Sequence, residues 1–469
     1  MPVQLSHQNE RRHDVVVIGG GSAGYAAART ACDAGADVAI VDQGPLGGLC
    51  ILRGCMPTKT ILRSAEIMAL MKRAREFGLA PVTARADLSA IVDRKNRLVQ
   101  EFADYRIAAL RDPRFTLYES RAEFLSPHEI RAGAWHIRGE AFVIATGSRV
   151  SEVPIPGLSE SGYVTSDEML DVRQAPASLL VLGGGLVAVE FAQFFSRIGT
   201  KVTMLQRGPT LLSDMDQDVG QALSSAFQDE GIEVLTDVSF EQVTSSPIGK
   251  TVHFRQKGVS QSRSADMMFH ALGRRPNLKG LNVEAAGVNL VDGRLVVGAD
   301  MRTSQPHIFA VGDVNDLTPI VHLAIQQGET AAFNATHPDV PARVIDHRLD
   351  SEMVFTDPQV AIAGLSERQC REQSIPYLTA SYPFADHGKA MCMGALAGFV
   401  KLLCRPDNGE LIGAQIVGPE AAELIHELIA VMYFHGTAQD LLRIPHYHPT
   451  LAEIVTYPAE SILEQMGRI

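Results

Sequence analysis

The most regular feature of the chain is a block of apolar and glycine positions that occurs twice. Asp14-Val15-Val16-Val17-Ile18 is the continuous apolar run that a strand covered on both faces requires, and it leads into Gly19-Gly20-Gly21-Ser22-Ala23-Gly24. An alanine-rich helical stretch ending near Gly35 follows, then a second apolar strand ending at Asp42. Ser178 to Leu182 opens the same order again, with the turn Gly183-Gly184-Gly185-Leu186-Val187-Ala188, a helix to Gly199 and a strand ending at Gln206. Gly35 and Gly199 each stand 16 positions after the first glycine of their turn, and Asp42 and Gln206 each stand 23 after it. One fold unit is therefore present in two copies.

Elsewhere the pattern changes. Ile61, Leu62, Ala65, Met68 and Met71 recur at helical spacing, and Ala141–Ile144 reads as a strand. Pro154-Ile155-Pro156-Gly157 reads as a linker, and Gly273-Arg274-Arg275-Pro276-Asn277 as the return from a second domain. From about residue 346 the pattern becomes antiparallel. Gly398–Cys404 and Leu411–Val417 flank Asp407-Asn408-Gly409, a hairpin signal, and a helix is expected over Ala421–Tyr433. The expected division is 1–150, 151–272, 273–345 and 346–469. The fold class is α/β, with two Rossmann-like dinucleotide-binding domains (the first in two parts) and a C-terminal α+β domain.

Strand, glycine turn, helix, strand and acid in this order form a dinucleotide-binding fingerprint. Gly19 allows the tight turn, Gly21 lets the backbone approach a pyrophosphate, and Gly24 allows close helix–strand packing. The pyrophosphate would rest on the helix N-terminus, at Gly21, Ser22, Ala23 and Gly24. Asp42 would accept hydrogen bonds from a ribose. In the second copy Gly183, Gly185, Leu186 and Val187 take the same places. A carboxylate at the Gln206 position would favour NADH and repel a 2′-phosphate; Gln206 is uncharged, and Arg207 follows it.

Between the two copies lies Gly47-Gly48-Leu49-Cys50-Ile51-Leu52-Arg53-Gly54-Cys55-Met56-Pro57-Thr58-Lys59. Pro57 suits the first position of the helix predicted after it, because its fixed φ fits and its missing N–H would be unpaired there anyway. Cys55 would then sit at a helix N-terminus, where the macrodipole favours a thiolate, with Cys50 near enough to be its disulfide partner.

Composition narrows the function classes. At 469 residues the chain suggests about three domains. Its 46% apolar and 20% charged residues are ordinary for a soluble protein, and a formal net charge of −12 argues against nucleic acid and anionic membranes as partners. No run reaches the length of a membrane span, and polar Met1–His13 does not read as a signal peptide. Of six cysteines only 50 and 55 form a local pair, which points to a reducing, cytoplasmic compartment and a catalytic pair; no metal site is expected.

The cysteine stretch closely resembles the redox-active motif of the FAD-dependent pyridine nucleotide–disulfide oxidoreductases, the family of dihydrolipoamide dehydrogenase, glutathione reductase and mercuric reductase. The resemblance covers about residues 14 to 465. It implies FAD at the first fingerprint, with Gly48, Lys59, Ala145-Thr146-Gly147, Gly273, Gly312-Asp313 and His322 also at cofactor positions. Asp313 would hold the ribityl chain. It implies a nicotinamide dinucleotide at the second fingerprint. In NADPH-using relatives an arginine stands at the position of Arg207, which favours NADPH over NADH here, although the second arginine common in them is replaced by Ser213. Lys59 and Glu190 match the family's ion pair near the flavin. His448 and Glu453, in His448-Pro449-Thr450-Leu451-Ala452-Glu453, match the acid–base dyad of the thiol-forming members. That dyad reaches the disulfide of another subunit, so a homodimer is implied. His446 and His426 are read as having no chemical role.

The implied activity is transfer of electrons from NAD(P)H through FAD and the Cys50–Cys55 pair to a disulfide substrate, as in dihydrolipoamide dehydrogenase. Cys55 would face the flavin and Cys50 would attack the substrate. Leu49, Leu52 and Arg53 depart from the usual Thr, Asn and Val. Arg53 would either select an anionic substrate and lower a thiol pKa, or be a solvated outward residue. A mercuric reductase is disfavoured, because no N-terminal metal-binding domain is read, the tail Glu464–Ile469 has no cysteine pair, and histidine stands where those enzymes use tyrosine. A flavin NAD(P)H oxidase or electron-transfer flavoprotein that ignores disulfides is the reading from another class.

Overall fold

The computed structural model describes residues 9–247 and 249–468; most of the polar N-terminal stretch lies outside them. The chain divides into two compact units. The first takes in the chain up to Pro57, Arg94–Ser151 and Arg274–Ile345; the second takes in Thr58–Asp93, Glu152–Gly273 and everything from Asp346 onward.

The first unit is built on β1 (Glu10–Ile18), β2 (Val38–Asp42), β3 (Phe115–Glu119), β4 (Ala122–Ser126), β5 (Glu129–Ala132) and β6 (Trp135–Ile144). They lie in the order β3-β2-β1-β6-β5-β4, and Ile308–Ala310 pairs in parallel with the end of β6. Val15–Ile18 are at most 3% exposed, as a strand covered on both faces demands. Helix α1 (Ser22–Asp33) buries Ala23, Ala26, Ala27, Ala28 and Ala31. This alanine face lets the helix Val321–Thr336 come close: a Cβ on Gly328 would lie 2.2 Å from the Ala23 carbonyl oxygen.

Three local expectations need correction. Strand β1 starts at Glu10 rather than Asp14, because Glu10–His13 continue the parallel ladder against His136–Gly139 despite their polarity. Ala141–Ile144 is the end of a longer strand, β6. The helix expected from Pro57 begins two residues earlier: α2 (Leu49–Arg53) carries Cys50, Gly54 breaks the chain, and α3 (Cys55–Lys72) starts on Cys55 itself. Pro57, third in α3, is tolerated within the first turn because the first helical N–H groups lack intrahelical partners.

In the second unit, Glu233–Leu235, Lys201–Leu205, Ser178–Leu182 and Met267–His270 form a four-stranded parallel sheet. The helix Leu186–Arg197 packs on it through Val189, Phe191, Ala192, Phe194 and Phe195, all at most 1% exposed. Each phenylalanine contributes about 2–3 kcal/mol by leaving water, which anchors the glycine turn ahead of the helix. A three-stranded antiparallel sheet, Val238–Ser246, Gly249–Gln256 and Val259–Ala265, follows. After residue 346 comes a five-stranded antiparallel sheet that contains the expected hairpin, Phe399–Cys404 with Leu411–Gly418. The helix Ala421–Tyr433 lies where the pattern puts it. The architecture is the α/β class read from the sequence.

Candidate active site

At the first glycine turn the backbone itself makes the cradle. A Cβ on Gly24 would lie 1.8 Å from the Gly19 carbonyl oxygen, and one on Gly48, whose φ is +80°, would lie 2.7 Å from the Gly21 Cα. The turn, α1 and the Gly47-Gly48 loop can meet only without side chains. Gly21, the residue before Ser22, precedes the first turn of α1, whose N–H groups are open to an anion. Asp42 accepts from the Gly20 N–H (2.6 Å) and the Gly44 N–H (2.7 Å), which fixes its carboxylate at the end of β2.

Further along the same unit, Asp313 accepts from the Ser148 hydroxyl at 2.7 Å, and Ser148 accepts from Arg274 Nε at 2.8 Å. Gln327 Oε1 accepts from the Gly312 N–H (2.7 Å) and from Asn315 (2.9 Å), which pins the loop that carries Asp313. Ala145 is buried, Gly147 has a φ of +68°, and the buried Thr146 hydroxyl has no hydrogen-bond partner. His322 is exposed on the first turn of the helix Val321–Thr336. Gly273, with a φ of +103°, ends the segment after Met267–His270.

Sequence reasoning missed Arg106, on α4 (Leu88–Leu110). Its guanidinium lies 4.5 Å over the Tyr25 ring, and its buried Nε and Nη1 have no hydrogen-bond partner. Burial pulls it below the ordinary arginine range, against the opposing pull of Tyr25 and Cys50. An orphaned cation and hydroxyl beside a side-chain-free cradle are the donor set that a flavin dinucleotide would satisfy.

Both cysteines of the central stretch are partly buried, Cys50 within α2 and Cys55 at the start of α3. A Cβ on Gly54 would lie 3.1 Å from the Cys50 Cα, so the break between the helices is tight. Arg53 is exposed at the end of α2. Three of the other cysteines are poor nucleophiles: burial pushes the Cys404 thiol up to about 12 and raises Cys370 and Cys32 as well.

In the second unit Lys59 donates to both oxygens of Glu190, at 2.9 and 3.0 Å. Glu190 is 4% exposed, not a surface carboxylate. With Gln193 and Arg197 it makes one polar stripe on an otherwise apolar helix, and the stripe holds the segment Phe355–Asp357. At the second glycine turn a Cβ on Gly183 would lie 2.3 Å from the Ala271 carbonyl oxygen, whereas Gly185 faces open space ahead of Leu186 and Val187. Gln206 donates to Ser213 Oγ (2.8 Å) and to the Thr210 carbonyl (3.3 Å); Arg207 is exposed.

Near the C-terminus His448 Nδ1 lies 3.0 and 3.2 Å from the oxygens of Glu453. The histidine side chain is 78% exposed and the glutamate 13%. His446 instead pairs with Glu427 at 2.8 Å and caps the Ile444 carbonyl; His426 is exposed. Among the described residues no helix is long and apolar enough to cross a membrane, and no group of His, Cys, Asp or Glu could hold a metal.

Residues 13–328 match the pyridine nucleotide-disulphide oxidoreductase family, and residues 351–459 match its dimerisation domain. A mercuric reductase of Staphylococcus aureus is 32% identical over 94% of this chain and 81% of its own length. A dihydrolipoyl dehydrogenase of Geobacillus stearothermophilus is 31% identical over 96% of both chains. Among solved structures, the HOCl-induced flavoprotein disulfide reductase RclA from Escherichia coli superposes with a TM-score of 0.84 at 26% identity, over 95% of this chain and 99% of its own. LpdA from Mycobacterium tuberculosis gives 0.86 at 26%, over 96% and 99%. Matched in sequence along both of its family domains, the chain belongs to the pyridine nucleotide-disulphide oxidoreductases, FAD-dependent enzymes that work with NAD(P)H.

Proposed function

We propose that the protein is a cytoplasmic, homodimeric NADPH:disulfide oxidoreductase that reduces a small or protein-bound disulfide. The observation that carries this reading is the Cys50–Gly54–Cys55 break, four residues ahead of a lysine held on a buried glutamate. FAD, when bound, supplies a ring that takes up two electrons as hydride and passes them on as a pair. Gly19, Gly21–Gly24, Asp42, Gly48, Thr146, Arg106 and Asp313 would hold it; Gly183, Gly185–Val187, Gln206 and Arg207 would hold NADPH. Lys59, fixed by Glu190, keeps a positive charge ready for negative charge that builds up during reduction.

The two electrons, with two protons, break the Cys50–Cys55 disulfide into two thiols. As a thiolate, Cys50 attacks one sulfur of the substrate and expels the other, and His448 gives that leaving thiolate a proton. Cys55 then displaces the second product thiol and restores the pair, so a disulfide, NADPH and one proton yield two thiols and NADP+. Glu453 orients His448 through Nδ1, leaving Nε2 free to carry the proton. His448, Tyr447 (81% exposed), Phe434 (79%) and Tyr433 (60%) stand bare, which suits cover by a second copy whose cysteines the dyad would serve. The dimerisation-domain match supports the same assembly.

The test is anaerobic titration of the flavin-loaded protein with NADPH and with NADH, following the long-wavelength thiolate–flavin absorbance, then reoxidation by lipoamide, oxidised glutathione and other disulfides. The expected result is a thiolate band that appears with NADPH and disappears with one disulfide. A Cys50→Ser protein that reoxidises as fast as the parent would overturn the proposal in favour of an oxidase.

A further inference from the structure

Behind the dyad lies a second imidazole. His387 is wholly buried, and its Nε2 lies 3.4 Å from Glu453 Oε1, the far side of the carboxylate that holds His448. Phe384 and Tyr457 enclose the ring edge-on, and Tyr382 stacks on Tyr457 at 4.2 Å. Neither ring nitrogen reaches a well-formed hydrogen bond, and Nδ1 has no partner at all. A polar ring sealed among aromatics costs free energy unless something draws on it. The group within reach is Glu453.

We propose that His387 is a positioning residue for the acid–base dyad: its Nε2–H donates to Glu453, fixes the carboxylate toward His448, and weakens the carboxylate's hold on the proton that His448 must release. This rests on the reading of His448 and Glu453 as the acid–base pair. The donor form is the neutral ring: burial pulls His387 below the usual histidine range, and the nearby His448 adds to this while Glu453 opposes it. The titratable groups around the ring are Glu453, His448 and Tyr457, with Tyr382 behind Tyr457 and Asp386 and Lys389 on its own segment.

A donor shared with Glu453 spreads the carboxylate's charge. Without it the imidazolium of His448 persists to higher pH. In the flavin-loaded, two-electron-reduced His387→Phe protein, the pH step of the thiolate–flavin absorbance should therefore move upward by about half a pH unit or more. Reoxidation by lipoamide should slow about tenfold, while flavin reduction by NADPH keeps its rate. His387→Gln, which keeps a donor, should restore most of both. In a Glu453→Gln background, replacing His387 should move the pH step no further.

A His387→Phe protein with the parent's pH step and reoxidation rate overturns the inference. So does an equal shift in the Glu453→Gln background, which would assign the effect to packing. If His387→Phe does not fold, His387→Leu compared with His387→Gln makes the same distinction. The dyad reading fails separately: His448→Ala with undiminished reoxidation removes it and this inference together, whereas a crippled His448→Ala beside an indifferent His387→Phe removes this inference alone.

Discussion

The Lys59 ammonium binds both oxygens of Glu190 and also stands 4.6 Å over the ring of Phe355, whose N–H donates to Glu190 Oε1 at 2.9 Å. One buried carboxylate thus ties α3 to the strand-following segment at Phe355. Lys59→Met leaves that carboxylate without its cation, and should lower stability by about 2 kcal/mol. Flavin reduction by NADPH should slow at the same time, whereas Lys59→Arg should recover stability better than rate. Denaturant unfolding and stopped-flow reduction of the flavin-loaded protein measure the two. A Lys59→Met protein with normal stability would show the pair to be solvent-screened.

Cys50→Ser should lower disulfide turnover by about 10³-fold or more while leaving flavin reduction within about twofold, because only one half of the cycle uses the attacking sulfur. Cys55→Ser should also abolish the long-wavelength thiolate absorbance. The rates are read by stopped flow and the band by absorbance of the reduced protein. Retention of the band in Cys55→Ser would reassign which sulfur faces the flavin.

Arg207→Ala should lower kcat/KM for NADPH by about tenfold or more and leave that for NADH unchanged, since only the phosphate monoester gains from the guanidinium. The Gln206 amide is already engaged by Ser213 and Thr210. Ser213→Arg should therefore both free that amide and add a second cation, raising NADPH preference. Steady-state kinetics with the two nicotinamides decide it; an equal loss with both would make Arg207 a general surface charge.

Lys401, 4% exposed, sits between Asp216 (3.2 Å), Asp218 (2.8 Å) and Glu367 (3.1 Å). Burial pushes the Asp216 carboxyl up, but Lys401 and the N–H groups of Arg368 and Glu367 pull it down further, so the net position is below the ordinary carboxylate range. A depressed carboxyl adds stability that is whole above its unfolded value, about 4, and is lost as pH falls through the folded one. Lys401→Met strands these charges and should cost about 3–5 kcal/mol near neutrality. The deficit should shrink toward pH 4, as the stranded carboxyls take up protons. Chemical denaturation across pH measures this, and a pH-independent deficit would point to lost packing instead.

The repeated strand–glycine–helix blocks, the hairpin at Asn408-Gly409 and the helix Ala421–Tyr433 were legible in the chain because each is written in neighbouring residues. Periodicity and glycine placement are local, and the backbone obeys them locally. The helix start at Cys55 was misplaced by two residues because Pro57 is acceptable anywhere in a first turn, and only the break at Gly54 decides where the turn begins.

What the linear order withheld is whatever depends on contact between distant segments. Glu190 reads as one more helical carboxylate until packing buries it against Lys59, 131 positions away. Asp313 is named by its motif, but Ser148 and Arg274 aim it. Arg106 and His387 carry no local signal at all: one of three arginines on a long helix and a lone histidine in a loop look solvated. They matter because the fold strips their water and leaves Tyr25 beside one and Glu453 beside the other. Desolvation belongs to three-dimensional surroundings, and no spacing of letters encodes it.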